Sequence, residues 1–197
     1  MRKLPILSVA LIAGASSLGL LATGAHAATL TGPASGSETC HVTATGRLNK
    51  TLTTAISHDR ATVHLDAFGT CAGTVINTPG GKTIDAASLD IHFRLARTTC
   101  AGAAALPLDN TTMFHNHIVW QQAQTFNHKV HYRTTTVTNA EALPGTYSAA
   151  NDVETTRLAG AFFGEKATLN LDAGSVSLNC LNRTITLNAT LTVAPVS

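Results

Sequence analysis

Apolar and polar residues alternate with a period of two along most of this chain. Alternation of this kind puts one set of side chains on each face of a β-strand. From Ser88 to Leu95, Leu89, Ile91, Phe93 and Leu95 share one face, and Asp90, His92 and Arg94 share the other. The same reading places Ala61, Val63, Leu65 and Ala67 inward, with Thr62, His64 and Asp66 outward. Cys40, Val42 and Ala44 go inward against His41, Thr43 and Thr45. Near the C-terminus, Ala167, Leu169 and Leu171 alternate with polar residues, as do Val176, Leu178 and Cys180. Ile185, Leu187, Ala189, Leu191 and Val193 do the same against a row of Thr and Asn. Turns are expected at Asp172-Ala173-Gly174 and Leu181-Asn182, and a strand over Val153–Phe163. Loops are expected over Gly69–Gly81, Arg97–Asn110 and Thr138–Asp152, and a loose segment over Ala28–Thr39. No segment sustains a 3.6-residue period. The prediction is an all-β chain, a single antiparallel β-sandwich or partly open barrel of about 7–9 strands.

The stretch Thr111–Val137 is the densest in chemistry. It holds the only Trp and four of the nine His. As a hairpin it puts Phe114, Asn116, Ile118 and Trp120 inward, and Met113, His115, His117, Val119 and Gln121 outward. The return strand is expected to put Val130 and Tyr132 inward, with Lys129, His131 and Arg133 outward and a turn at Thr125-Phe126-Asn127. His115 and His117 then have the spacing of a metal-ligating pair, whereas zinc needs at least three protein ligands. With that turn His131 falls opposite Gln121, about 13 Å along the strand from His117. The hairpin alone is therefore expected to give no metal site beyond weak binding. A third ligand must come from a neighbouring strand, and His64 and His92 are the first candidates. No cofactor is expected.

Composition changes the picture at the ends. Arg2-Lys3, an apolar run from Leu4 to Leu21 and Ala25-His26-Ala27 read as a signal peptide over residues 1–27 with cleavage before Ala28. That leaves residues 28–197 as a single secreted β domain in the extracellular space, with no membrane anchor once the signal is removed. Losing Arg2 and Lys3 cuts the 13 basic residues to 11, against 11 acidic ones. A balanced charge gives no general attraction to nucleic acid or to anionic membrane.

Cys40, Cys71, Cys100 and Cys180 all follow the leader, an even number that implies two disulfides in an exported chain. Three connectivities are possible. A first hairpin folded near Ala55–Ile56 would set Cys40 opposite Cys71, which favours Cys40–Cys71 with Cys100–Cys180.

Enzyme motifs are missing. There is no Gly-x-Ser-x-Gly elbow, no His-Glu-x-x-His, and Gly81-Lys82-Thr83 lacks the first glycine of a phosphate loop. No carboxylate pair stands out for glycoside hydrolysis. Asp66 and Asp90 each lie two residues from a histidine, His64 and His92, so the four would cluster if their strands were neighbours. With His41, His115, His117 and His131 they would make an outer patch that gains charge in mildly acidic solution. The leader, the Ala/Thr/Gly-rich strands, the spaced cysteines and the run Arg157-Leu158-Ala159-Gly160-Ala161-Phe162-Phe163-Gly164 resemble small secreted β-proteins of actinobacteria. That resemblance implies a compartment and a fold and brings no site residues. The functional expectation is a non-catalytic extracellular protein that binds an extracellular or cell-surface ligand. The alternative is an extracellular hydrolase or metal-binding protein using the outward His and Asp residues.

Overall fold

The computed structural model describes residues 34–78, 81–144, 152–154 and 157–195. The expected leader and its cleavage site lie outside the described residues. Among the described residues, nine strands form one antiparallel sheet: β1 Ser35–Leu48, β2 Ala61–Asn77, β3 Ala86–Leu95, β4 Phe114–Phe126, β5 Lys129–Ala142, β6 Asp152–Glu154, β7 Arg157–Gly160, β8 Lys166–Asn179 and β9 Thr184–Ala194. A single helical turn, α1 (Cys100–Ala103), follows β3 and is capped by the Thr99 side chain accepting from the Gly102 amide.

The strand order is β6-β8-β9-β1-β2-β3-β4-β5-β7. The edge strands β6 and β7 are neighbours in the chain, because Glu154 and Arg157 are three residues apart. Three residues reach about 11 Å at most, so the sheet must curl until its two edges lie close together. Hydrogen bonding does not close the ring among the described residues, and the result is a sandwich-like, partly open wrap around one core. Its largest buried side chains are Trp120, Phe114 and Phe162, set among Leu, Ile, Val and Ala. The inward sets expected for the strands at 40–45, 61–67, 88–95, 114–120, 167–171 and 185–193 are the buried ones, Asn116 included.

Both disulfides are those favoured by the hairpin argument, Cys40–Cys71 and Cys100–Cys180. Cys40 faces Cys71 across β1 and β2, whose loop is centred on Ala55–Ile56.

Several segments depart from the expectation, each for a physical reason. Gly69–Gly81 is not one long loop, because β2 continues to Asn77. A Cβ at Gly69 would fall 1.9 Å from the His41 carbonyl oxygen and one at Gly73 2.1 Å from that of Ser37. These glycines permit a close strand approach rather than marking a turn. The loose N-terminal segment likewise ends early. β1 begins at Ser35 and buries Glu38, a carboxylate at an inward position that the pattern of apolar residues conceals. β5 reaches Ala142, so the loop expected from Thr138 starts later.

Val153–Phe163 is two short strands on opposite edges, not one. Gly160 and Phe162, both at positive φ, turn the chain after β7. Asp172-Ala173-Gly174 makes its local turn bonds, Gly174 N to Asp172 Oδ1 at 2.9 Å and Ser175 Oγ to Asp172 O at 2.8 Å. It does so as a bulge inside β8, where the register against β9 jumps between Asp172 and Ser177.

The β4–β5 hairpin carries the largest correction. Its two turn residues are Asn127 and His128, both at positive φ, the conformation that matches a two-residue turn to strand twist. His131 therefore faces Gln124, not Gln121, and a bulge after Trp120 shifts the return strand. Thr136, Thr138, Ala140 and Ala142 point inward, while Val130 and Tyr132 are exposed. Thr135 is the extra residue of that bulge, so the alternation flips beyond it and Val130 and Tyr132 fall on the outer face, where Tyr132 meets the exposed Phe68 ring of β2.

Candidate functional site

Straight registers across five strands align the outward residues into rows. One row runs Arg47, His64, His92, His115, Glu141 from β1 to β5. The next runs Thr45, Asp66, Asp90, His117, Asn139 along the same strands. Four of the six outward histidines share this patch. His41 lies apart, its Nδ1 3.3 Å from Thr190 Oγ1, and His131 sits out on the hairpin opposite Gln124.

The tightest geometry is at the junction of the rows. His64 Nε2 is 2.8 Å and His92 Nε2 2.9 Å from the same oxygen, Asp90 Oδ1. The two imidazoles stack with centroids 4.1 Å apart and planes 23° from parallel. Both rings are about half exposed, yet Asp90 Oδ1 itself is shut off from solvent and accepts no well-aligned hydrogen bond. Close approach without hydrogen-bond alignment leaves two ring nitrogens and one carboxylate oxygen converging on a common region, all within 4.8 Å of one another. Among the described residues, the other convergent group is Glu38 with Cys40 and Cys71, whose sulfurs are consumed by the disulfide.

Neighbouring groups bear on the charge. Asp66 faces Asp90 across β2 and β3, and like charges directly opposite in a sheet are destabilising. Two carboxylates in register next to imidazoles are an arrangement that a cation relieves. His117 faces Asp90 from β4, and its Nδ1 is 2.6 Å from Asn139 Oδ1. A carbonyl-type acceptor there makes Nδ1 the protonated nitrogen and leaves the Nε2 lone pair outward, the usual device for orienting a ligating imidazole. His115 Nδ1 is 3.7 Å from Glu141 Oε1. An open groove of about 380 Å³ adjoins the cluster, lined by Thr45, Asp66, Phe68, Ser88, Asp90 and His117 among others.

The structure thus brings His64, His92, His115 and His117 onto adjacent strands and unites the first two with Asp90. Asp90 is expected from sequence to cluster with His64 and His92 if their strands are neighbours; that it is the common centre, and that Asn139 stands behind His117, is not readable from sequence. Their roles depend on strand order and on the register across the bulge. No protein-family model, curated protein or solved structure matches the chain.

Proposed function

We propose that this is an exported, non-catalytic binding protein whose outer β2–β4 face holds a divalent transition-metal ion through His64, Asp90 and His92. The carrying observation is the solvent-shielded Asp90 oxygen met by two imidazole nitrogens without aligned hydrogen bonds. Two nitrogens and one oxygen suit Zn²⁺ or Cu²⁺ rather than Ca²⁺ or Mg²⁺, which prefer all-oxygen shells. Tetrahedral ligands at zinc distances lie about 3.3 Å apart. The pairs here need to open by roughly 0.5 Å, a small movement for half-exposed side chains. Export is supported by the two disulfides, which persist in oxidising compartments, and by the leader-like N-terminal sequence.

Isothermal titration of metal-stripped protein tests the reading. One equivalent of Zn²⁺ or Cu²⁺ should bind, and Asp90→Ala or His92→Ala should abolish it while His131→Ala leaves it intact. Binding that survives both cluster substitutions removes the site.

One observation favours hydrolysis as a second reading. Three protein ligands leave room for a metal-bound water, and the groove places Asp66 beside Asp90. Turnover of an ester or peptide by loaded protein, lost in Asp66→Asn with metal affinity retained, would select it.

A further inference from the structure

The β4–β5 hairpin tip has a composition unlike the rest of the molecule. No acidic residue occurs between Asp109 and Glu141, a span that includes Lys129, Arg133 and four histidines. The overall balance of charge therefore conceals a local segregation. Beyond Gln121 the hairpin pairs with no other strand until Thr138 meets Gly160. It is thus a two-stranded extension of the sheet.

Register assigns its two faces. Gln122, Gln124 and Phe126 are opposite Arg133, His131 and Lys129 and share one face with them. Ala123 and Thr125 are opposite Tyr132 and Val130 on the other. Tyr132 contacts the Phe68 ring edge-on at 5.1 Å between centroids, so the stem leans on β2. The end beyond it has no such support. Phe126 is 67% and Val130 56% exposed, one on each side of the Asn127-His128 turn. Large apolar groups at an exposed tip, flanked by Lys129 and Arg133 with no acid in either strand of the extension, need a partner that is both apolar and anionic; the Asp85 carboxylate beside the stem is taken up by the Ala123 amide at 2.7 Å.

We propose that this tip docks on an anionic lipid bilayer, with Phe126 and Val130 entering the headgroup–acyl boundary and Lys129 and Arg133 held at the lipid phosphates. An acidic polypeptide or polymer satisfies the cations and leaves the two apolar side chains in water. A lipid interface satisfies both. The unpaired edges of the hairpin restrict it to the interface, because open backbone groups are not tolerated in hydrocarbon. The proposal does not depend on the metal reading and is tested with chelator present.

The experiment is sedimentation of the full protein with phosphatidylcholine vesicles, with and without phosphatidylglycerol. Retention is expected only on the anionic vesicles. A cation near such a surface contributes about fivefold in affinity, so Lys129→Gln with Arg133→Gln should weaken binding about 25-fold. Phe126→Ser should weaken it too, with the far-ultraviolet circular dichroism unchanged. In Phe126→Trp the new indole emission should shift to the blue on adding anionic vesicles and be quenched by brominated acyl chains. No retention, equal retention on phosphatidylcholine alone, or retention indifferent to Phe126→Ser would each overturn the proposal. So would a dimer in ultracentrifugation without vesicles that Phe126→Ser dissociates, because the tip would then be a contact between copies of this chain.

Discussion

The imidazoles of His64 and His92 stack face to face across β2 and β3, with ring centroids 4.1 Å apart. Their ring nitrogens meet at a single carboxylate oxygen. An ion bound there ties β2 to β3 only in the folded state, so it stabilises by mass action, about 2.7 kcal/mol when free metal is a hundredfold above its dissociation constant. Differential scanning calorimetry should show the unfolding midpoint rising with Zn²⁺ concentration in the native protein. The rise should vanish in His64→Ala, while His41→Ala, remote from the cluster, should retain it. A metal-independent midpoint in the native protein would count against the site.

The hairpin base is locked by a different network. Trp120 Nε1 donates to Thr138 Oγ1 at 2.8 Å, and Thr138 Oγ1 donates to the Ala161 carbonyl at 2.9 Å. Thr135 Oγ1 donates to the Trp120 carbonyl at 3.0 Å, and the indole packs on Phe162. Thr138→Val keeps the shape but orphans a buried indole N–H and a buried carbonyl. Each costs about 1–3 kcal/mol. Urea unfolding should therefore show a loss of about 2–4 kcal/mol. A loss under half a kcal/mol would mean that water or backbone movement replaces both bonds.

These two networks show where sequence reading succeeds and stops. Inward and outward sets followed from period two wherever a strand had the core behind it, as at Ser88–Leu95. Val130 and Tyr132 broke the rule because the bulge after Trp120 flips the alternation of the return strand, and no residue type in the sequence marks where that bulge falls. Gly69 and Gly73 read as loop because composition does not distinguish a close strand approach from a turn. His64 and His92 could be named as ligands for a neighbouring strand, since direction follows from alternation. Their meeting at Asp90 required β2 to pair with β3 in the register that sets His64 opposite His92, which alternation alone does not decide.

The disulfides should act mainly on the unfolded chain. Cys40–Cys71 spans 31 residues and Cys100–Cys180 spans 80. Loop-closure entropy then gives about 3.7 and 4.5 kcal/mol respectively. Replacing either pair with Ser should lower stability by a few kcal/mol in denaturant titration, more for Cys100 and Cys180. Non-reducing peptide mapping should find the two linked peptides and no free thiol. A Cys71–Cys100 peptide would refute the pairing.

Glu38 makes the clearest pH prediction. It is 1% exposed, beside the Cys40–Cys71 bridge, and its Oε1 accepts no hydrogen bond. Burial pushes its carboxyl up from 4.5 to about 7. The nearby Asp85 charge adds to the rise, and the Thr39 backbone hydrogen bond opposes it. With the folded value above the unfolded one, the native state binds more protons between roughly pH 4.5 and 7. Stability contributed by the protonated carboxyl is thus complete below about 4.5 and lost as pH climbs through about 7. The size is up to about 3 kcal/mol at 1.36 kcal/mol per pH unit. Other groups titrate as well, so the informative quantity is the difference between native protein and Glu38→Gln. The substitution should be nearly neutral at pH 5 and stabilising at pH 8, and should flatten the profile of urea midpoint against pH. A Glu38→Gln protein that tracks the native one at both pH values would show that the buried carboxylate finds compensation when it ionises.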